Sequence, residues 1–243
     1  YNFIPCFWMA TEDHDFDEIK NLNLYGKEYT WDINTEDAVG HLPSQSLLSF
    51  ISQLEFFLND SENGNKLLEI YKSSYKNNKF YSDATRSLLT SLFGNYGLVV
   101  IDGNHPNLKQ LFISDFQDEI TNQFVYKSVN KSNNFIKKYY KPQINALKHN
   151  IFYLSNNKRQ KIIYDKNNFQ TSNKEFEWSY SDLLQEIDNY PERFSPNVLL
   201  RPLYQERIMN NLIYIGGPSE ISYWLQLSIM FNNRKQTFPL LSL

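Results

Sequence analysis

Residues 97–106 have the sequence GLVVIDGNHP, in which an apolar run passes into a short polar turn that ends in proline. Such a run is typical of a buried strand, and Pro106 suits the first position of a helix because proline has no N–H to leave unpaired. Apolar residues then recur three and four positions apart, which predicts one helix with an apolar face. That face contains Leu108, Leu111, Phe112, Phe116, Ile120 and Phe124.

Two other segments repeat this order of strand, turn and helix. The apolar run at residues 1–9 predicts a buried strand, and behind it Asp15 and Glu18 have the spacing of a helix-start capping pair. A third apolar run, at residues 212–215, leads into a glycine-containing turn and then into a helix. The apolar residues near one side of that helix are Ile221, Trp224, Leu225 and Phe231.

Three such units predict an α/β fold in which helices flank both faces of a parallel sheet. Ligands of these sheets usually bind at the carboxyl ends of the strands, so we expect all three polar turns to gather at one edge. The remaining segments predict helices at 44–58, 64–76 and 82–93, and a β-hairpin at 151–170. We predict a single core over residues 1–243, with inserts at about 25–90 (mostly helical) and 141–180 (hairpin and loop).

Composition and charge exclude several classes of protein. A hydrophobic fraction of 41% is too high for a disordered chain, and no apolar run approaches the roughly 20 residues of a membrane helix. With 24 basic and 27 acidic residues the net charge is −3, so we expect neither nucleic acid nor a membrane as a partner. Cys6 is the only cysteine, which excludes a disulfide within the chain. We expect Cys6 to be buried and the protein to be cytoplasmic.

The first turn carries four ionisable residues, Glu12-Asp13-His14-Asp15, directly after an apolar strand. Carboxylates next to a histidine can orient the imidazole, bind a cation, or act as acid and base. Helix capping explains Asp15 but explains His14 poorly, because a cation is unfavourable at a helix start. We therefore expect Asp13 or His14 to face a ligand. No other histidine has a metal-ligand spacing to His14, so no metal site is predicted.

Arg201 is a second candidate, because it stands between an apolar run and a helix that Pro202 opens. A guanidinium in this place can hold a carboxylate or a phosphate with two hydrogen bonds. The alternative is a structural salt bridge, either to Glu206 or to the acids of the first turn. Gln205 is one helical turn beyond Arg201 and is expected to share its surface, whereas Glu206 could simply favour the helix start.

The third turn, Gly216-Gly217-Pro218-Ser219-Glu220, is expected to let a ligand approach the backbone. The helix start that follows offers N–H groups to an anion, although the same residues also form ordinary tight turns. The spacing matches neither the dinucleotide-binding fingerprint nor the P-loop. Tyr223 and Trp224 are expected in the core and not in contact with a ligand.

Five segments together resemble the bacillithiol biosynthesis cysteine-adding enzyme family, BshC. In family order they are PCFWMATEDHD (5–15), GLVVID (97–102), PERFSPNV (191–198), RPLYQE (201–206) and YIGGPSEISYW (214–224). The resemblance implies a Rossmann-like core related to class I aminoacyl-tRNA synthetases, with inserted segments. It also implies a ligase that forms an amide bond by adding L-cysteine to glucosaminyl malate, the last step of bacillithiol biosynthesis.

All the candidate site residues fall in these five segments. The catalytic candidates are Asp13, His14 and Arg201. The substrate- or anion-binding candidates are Glu12, Gln205, Glu206, Gly216, Gly217, Ser219 and Glu220. ATP or another nucleotide is the usual agent that activates a carboxyl group, although no phosphate-binding motif marks one here. Family members continue at both ends, into a glycine-rich N-terminal segment and a C-terminal coiled coil that forms a homodimer, so we expect this chain to be the middle of the enzyme.

Two other functions stay open at this point. A metal-dependent hydrolase could use the Glu12-Asp13-His14-Asp15 cluster, and it would then require stoichiometric metal. A truncated product could bind partners without catalysing a reaction. The cysteine ligase is the leading hypothesis because the five segments are specific in combination.

Overall fold

The computed structural model describes residues 3–243, which divide into two compact units. The first unit contains residues 3–104 together with the short segment Asn156–Arg159. The second contains His105–Ser155 and Gln160–Leu243. Each unit has its own pair of parallel strands. The first two residues of the strand predicted at 1–9 lie outside the described residues.

The first unit combines two small sheets with three long helices. Its strands are β1 (Cys6–Met9), β2 (Asn21–Leu24), β3 (Lys27–Thr30) and β4 (Val99–Asp102). Strand β1 pairs with β4 in parallel, and β2 pairs with β3 antiparallel. The helices are α1 (Phe16–Ile19), α2 (Leu48–Leu58), α3 (Glu62–Asn77) and α4 (Tyr81–Phe93). Helices α2, α3 and α4 confirm the three helices predicted between residues 44 and 93.

The core of the first unit lies between these helices and the segment before them. Its buried residues include Trp31, Leu42, Ile51, Leu68, Ala84 and Leu88. Burial of one such aliphatic or aromatic side chain stabilises the fold by roughly 1.5–3 kcal/mol. Helix α3 begins where the Ser61 hydroxyl accepts a hydrogen bond from the Gly64 N–H at 3.0 Å, which satisfies an N–H that the helix leaves unpaired.

The second unit contains a five-stranded antiparallel sheet in the order β8-β7-β6-β5-β9. The strands are β5 (Ile151–Ser155), β6 (Lys158–Asp165), β7 (Asn168–Thr171), β8 (Glu177–Trp178) and β9 (Phe194–Pro196). Strands β5 and β6 confirm the predicted hairpin. Asn156 and Asn157 join them with φ of 51° and 59°, left-handed values that asparagine tolerates better than most residues.

A second, parallel pair of strands completes this unit. Strand β10 (Ile213–Ile215) pairs with β11 (Leu240–Ser242), a strand that the sequence did not predict. The helices of the unit are α5 (Pro106–Gln110), α6 (Ile113–Asn122), α7 (Phe124–Ile136), α8 (Tyr180–Asn189), α9 (Arg201–Met209), α10 (Pro218–Trp224) and α11 (Ser228–Asn233). No helix within residues 3–243 is long and apolar enough to cross a bilayer.

The single helix predicted from Pro106 to Phe124 is in fact α5, α6 and the start of α7. Gln123 ends α6 in a left-handed conformation, with φ of 52°. The apolar periodicity continues across the breaks because Phe112 and Phe116 still point inward, and Phe112 lies 5.0 Å from the Tyr204 ring. Leu111, at the first break, is 61% exposed and does not belong to the apolar face.

Other local predictions are also wrong. Cys6 and Phe7 are exposed, because β1 pairs with one strand only and the described sheet leaves much of it uncovered. Helix α1 has four residues, and the Asp15 side chain makes no capping hydrogen bond to it. The helix predicted after the third turn is interrupted between α10 and α11, where Leu225 is 56% exposed.

Candidate functional site

The first two polar turns lie side by side in the first unit, as the sequence predicts. Strands β1 and β4 are parallel neighbours, so the turns that follow them leave the same edge. The Thr11 hydroxyl donates a hydrogen bond to Asp102 Oδ1 at 2.6 Å, and the Gly103 N–H donates to the Met9 carbonyl at 3.1 Å. A Cβ at position 103 would lie 2.5 Å from a Trp8 ring carbon, so the second turn requires glycine there.

His14 is held by the main chain. Its Nδ1 lies 3.1 Å from the Glu12 carbonyl oxygen, and its Nε2 lies 2.9 Å from the Asn157 carbonyl oxygen. A carbonyl oxygen accepts hydrogen bonds and does not donate them, so a ring nitrogen can bond to either oxygen only through its own N–H. A general base needs a ring nitrogen whose lone pair is directed at the proton that it removes. Both His14 nitrogens are directed at main-chain carbonyl oxygens instead. The geometry favours a positioning role for His14.

The hairpin tip at Asn157 receives further bonds from the same unit. The Ala38 N–H donates to the Asn157 carbonyl at 3.0 Å, and His41 Nδ1 lies 3.1 Å from Asn157 Oδ1. Next to it, Arg159 Nη1 pairs with Asp13 Oδ1 at 2.5 Å, with both side chains less than one-third exposed. Asp13 and His14 therefore both bind residues of the tip, an arrangement that no local pattern indicates.

The four ionisable residues of the first turn do not converge on a common point. Glu12 is 6% exposed, and Asp15 is exposed. Across residues 3–243, no three histidine, cysteine, aspartate or glutamate side chains are grouped so that they could hold a metal ion. The cluster on which the hydrolase alternative depends is therefore not assembled as a set of metal ligands.

Arg201 begins α9 in the second unit, and Pro202 lies in the first turn of that helix, as predicted. Its Nη2 donates to the Tyr223 hydroxyl at 3.2 Å and lies 3.7 Å from Glu220 Oε1. The alternative of a salt bridge to Glu206 is not seen among the described residues, and the Glu206 carboxylate binds Asn211 instead. Tyr223 is 5% exposed, and burial raises the pKa of its hydroxyl, so it stays a neutral phenol beside the guanidinium.

The Glu220 side chain folds back and binds other residues of the third turn and of the strand before it. Its Oε2 accepts a hydrogen bond from the Gly217 N–H at 3.1 Å, and its Oε1 accepts one from the Tyr214 hydroxyl at 3.0 Å. The negative group at the start of α10 is thus the protein's own carboxylate, and a ligand anion is not required there. Ser219 is exposed at the same turn.

The two glycines of this turn differ. A Cβ at position 216 would lie 2.7 Å from Tyr214 Cε1 and 3.1 Å from Glu220 Oε2, so only glycine fits. Gly217 has φ of −69° and open space at the Cβ position, so it does not need to be glycine for its conformation. The approach of a ligand to the Gly217 backbone stays a prediction.

Gln205 and Glu206 lie inside the second unit, with exposures of 5% and 1%. The Glu206 carboxylate accepts hydrogen bonds from the Asn211 N–H at 2.8 Å and from the Asn211 side-chain amide at 2.7 Å. Burial raises the pKa of Glu206, and these bonds offset part of the rise. Glu206 therefore supports the chain just after α9 and does not act at the helix start.

The sequence only partly predicts the aromatic residues near the third turn, which are Tyr214, Tyr223 and Trp224. Trp224 is 1% exposed and stacks on Tyr214 at 4.2 Å, which confirms its assignment to the core. Tyr223 is also buried, but its hydroxyl binds Arg201. The third turn belongs to a different unit from the first two, so the gathering of all three at one edge stays a prediction.

These features define an α/β protein built from parallel strand–turn–helix units. The family model described as bacillithiol biosynthesis BshC, N-terminal Rossmann-like domain, matches residues 1–243, and the chain therefore belongs to the BshC family. This match confirms the predicted family and the Rossmann-like fold class.

Several curated relatives carry the name "Putative cysteine ligase BshC". The protein of Flavobacterium johnsoniae is 42% identical over 241 residues, and that of Flavobacterium psychrophilum is 44% identical over 241 residues. The protein of Bacillus cereus (strain B4264) is 31% identical over 242 residues. These alignments cover 99%, 99% and 94% of this chain but only 45% of each relative, so the chain spans about half the length of the relatives it matches.

Proposed function

We propose that the whole protein to which this chain contributes is a ligase that joins the carboxyl group of L-cysteine to the amine of glucosaminyl malate, the last step of bacillithiol biosynthesis. The family match over residues 1–243 carries this proposal. The names of the relatives support the ligase class. The substrates and the reaction step come from the resemblance of the five sequence segments.

Amide formation explains why the site needs a cation. The carboxyl group of cysteine must first be activated, and the attack of the amine then places negative charge on the carboxyl oxygen until the leaving group departs. A positioned guanidinium stabilises such charge more strongly in the transition state than in the ground state. ATP or another nucleotide is our proposed activator, because a nucleotide supplies a good leaving group.

Arg201 is our candidate for the group that stabilises this charge. Its side chain is 24% exposed, so it is ordered by packing but still reachable by a small molecule. The contact to Tyr223 is with a neutral oxygen, and the distance of 3.7 Å to Glu220 exceeds that of a good charge-assisted hydrogen bond. These two contacts orient the guanidinium.

The remaining candidates have supporting roles in this proposal. Asp13 and His14 position the hairpin tip through Arg159 and Asn157. Glu220 and Gly216 shape the turn beside Arg201, and Gly217 and Ser219 present an open backbone to substrate. Glu12, Gln205 and Glu206 are buried, so we propose that they support the candidate site from within their units. A homodimer and a cytoplasmic location stay predictions.

A gene deletion tests the proposed function. Deletion of this gene from its source cell is expected to abolish bacillithiol and to cause glucosaminyl malate to accumulate, and the intact gene on a plasmid should reverse both effects. A plasmid copy carrying Arg201→Ala should restore neither. If bacillithiol persists after the deletion and glucosaminyl malate does not accumulate, the ligase assignment is wrong.

A further inference from the structure

A buried network of three polar side chains leads to Arg201 in the second unit. It consists of Glu119, Asn150 and Asn197, which are 0%, 0% and 7% exposed. Glu119 lies in α6, Asn150 directly precedes β5, and Asn197 directly follows β9. Burial of a polar side chain costs free energy unless hydrogen bonds satisfy it, so the bonds of these residues indicate what the network holds in place.

Asn197 binds the main chain that leads into α9. Its Oδ1 accepts hydrogen bonds from the Leu199 N–H at 3.0 Å and from the Leu200 N–H at 3.1 Å. Its carbonyl oxygen accepts from the Leu200 N–H at 3.1 Å and from the N–H of Arg201 itself at 2.8 Å. Leu200 stands directly before the helix and has no side-chain acceptor for the first N–H groups. Asn197 therefore binds the three consecutive N–H groups that end at Arg201.

Asn150 fixes the orientation of the Asn197 side chain. Asn197 Nδ2 donates to Asn150 Oδ1 at 2.8 Å, and the Asn197 N–H donates to the Asn150 carbonyl at 2.9 Å. An amide group that donates through its nitrogen on one side directs its oxygen to the other side. Asn150 thus keeps the Asn197 oxygen directed at the start of α9.

Glu119 holds Asn150 in turn. Glu119 Oε1 accepts hydrogen bonds from the Asn150 N–H at 3.1 Å and from Asn150 Nδ2 at 2.8 Å. Glu119 Oε2 accepts one from the Val125 N–H at 3.0 Å, which ties the network to α7. Asn150 Nδ2 also donates to the Leu147 carbonyl at 2.7 Å. The position of Asn150 is therefore set by groups that are far from Arg201 in sequence.

We propose that Asn197 is a positioning residue for Arg201, and that Asn150 and Glu119 hold Asn197 in this role. Because the N–H of Arg201 is bonded to Asn197, a shift in the turn at residues 198–200 moves the guanidinium away from the Tyr223 hydroxyl. The inference rests on the proposed role of Arg201 in stabilising the charge that forms in the reaction. An asparagine with a purely structural role would support folding and would not affect turnover of the folded enzyme.

Steady-state kinetics of the whole enzyme test the inference with Asn197→Ala. We expect kcat to fall by about tenfold or more, because displacement of a catalytic group by ~1 Å can cost about 100-fold. KM for cysteine and for glucosaminyl malate should stay within about twofold, because the lost interaction is made in the transition state. Asn150→Ala should lower kcat in the same way. If Asn197→Ala does not fold, Asn197→Ser takes its place, because serine keeps an acceptor for the main chain.

Asn133→Ala is the matched control. Asn133 has the same exposure of 7% and lies in the same unit, but its side chain binds Gln226 and Ile144 and not the start of α9. Folded Asn133→Ala should keep the kcat of the parent enzyme.

A double-mutant cycle shows whether Asn197 acts through Arg201. In the Arg201→Ala background, Asn197→Ala should cause no further fall in kcat, because the group that it positions is already absent. The inference is overturned if folded Asn197→Ala keeps the kcat of the parent enzyme, or if folded Asn133→Ala loses as much. It is also overturned if Asn197→Ala lowers kcat equally with and without Arg201.

A crystal structure of the folded Asn197 variant separates failure of this inference from failure of the proposed function. The guanidinium should be displaced from the Tyr223 hydroxyl, which lies 3.2 Å from Arg201 Nη2 in the parent protein, and this measurement needs no turnover. If the parent enzyme does not form the amide, the proposed function is wrong, while a displaced guanidinium still supports the positioning role. A guanidinium that stays in place overturns the inference whatever the reaction is.

Discussion

The turn after β1 and the turn after β10 both carry candidate site residues, but different partners hold them. In the first turn, His14 binds two main-chain carbonyl oxygens, and Asp13 forms an ion pair with Arg159. Beside the later turn, Arg201 contacts two side chains, Tyr223 and Glu220. A side chain whose two ring nitrogens both contact main-chain carbonyl oxygens restrains the path of the main chain. A charged group oriented by side chains can still act on a substrate.

This difference assigns separate roles to two residues that the sequence presents as equivalent. His14 is expected to affect activity through the position of the hairpin tip, whereas Arg201 is expected to affect the charge that forms in the reaction. The following predictions separate the two roles, beginning with the largest effect.

Arg201→Ala in the whole enzyme is expected to lower turnover by about 100-fold or more, because the lost guanidinium stabilises charge that is greatest in the transition state. Steady-state kinetics with cysteine and glucosaminyl malate measure the effect. Tyr223→Phe is the matched control, because it keeps the guanidinium and removes only one neutral hydrogen-bond partner, so its loss should be much smaller. Unchanged turnover in a folded Arg201→Ala protein would reduce Arg201 to a structural residue.

His14→Ala is expected to lower stability by about 0.5–3 kcal/mol, since each hydrogen bond contributes roughly 0.5–1.5 kcal/mol and the ring donates one bond when neutral and two when protonated. Turnover should fall by less than in Arg201→Ala. Urea unfolding and kinetics on the same preparation provide both values. His41→Ala, which loses one bond to the same tip, is the control and should have a smaller effect on stability. An unchanged stability with a turnover loss of about 100-fold would contradict the positioning role.

Gly216→Ala and Gly217→Ala should differ although they are neighbours. The added methyl group at position 216 meets Tyr214 at 2.7 Å, and relief of such overpacking costs about 1–3 kcal/mol. At position 217 the methyl group meets open space, so the change in stability should stay within about 0.5 kcal/mol. Thermal unfolding of both variants measures the difference. Equal stabilities would show that Tyr214 and Glu220 do not close around Gly216.

Glu206→Gln tests how the buried Glu206 carboxyl group contributes to the pH dependence of stability. Burial raises the folded-state pKa of Glu206 above its ordinary value of 4.5, so the folded protein holds this proton more tightly than the unfolded chain does. The resulting contribution to stability is full below about pH 4.5 and is lost as the pH rises through the raised pKa. Urea unfolding between pH 4 and pH 8 should show a larger loss of stability in the parent protein than in Glu206→Gln, which keeps the buried Glu119 with its pKa raised to about 7.

The control for that experiment is Glu69→Gln, which removes an exposed carboxylate in the other unit. It should keep the pH dependence of the parent protein. If both glutamine variants retain the same slope, Glu206 does not carry the effect.

Local pattern predicts part of this molecule well. Parallel pairing of β1 with β4 follows from two apolar runs, and it is enough to bring Thr11 next to Asp102. The hairpin follows from alternating residues around Asn156 and Asn157, which supply the left-handed turn. These features depend on residues close together in sequence or on a general rule of sheet geometry.

Distant contacts account for what the sequence did not predict. The partner of His14 is a carbonyl oxygen 143 positions away, and main-chain atoms carry no residue-specific signal. Strand β11 has three residues, too few to show alternation. Glu220 could be placed at the third turn from its spacing, but its bond to Tyr214 depends on how the strand enters the turn.

The pH dependence of kcat/KM for the whole enzyme and for its His14→Ala variant tests the central claim most directly. If His14 holds the chain and takes no proton in the reaction, the two profiles have the same shape and differ by a constant factor. If His14 is the general base, the acidic limb of the profile disappears in the variant while the parent enzyme retains it, and the division of roles between His14 and Arg201 is contradicted.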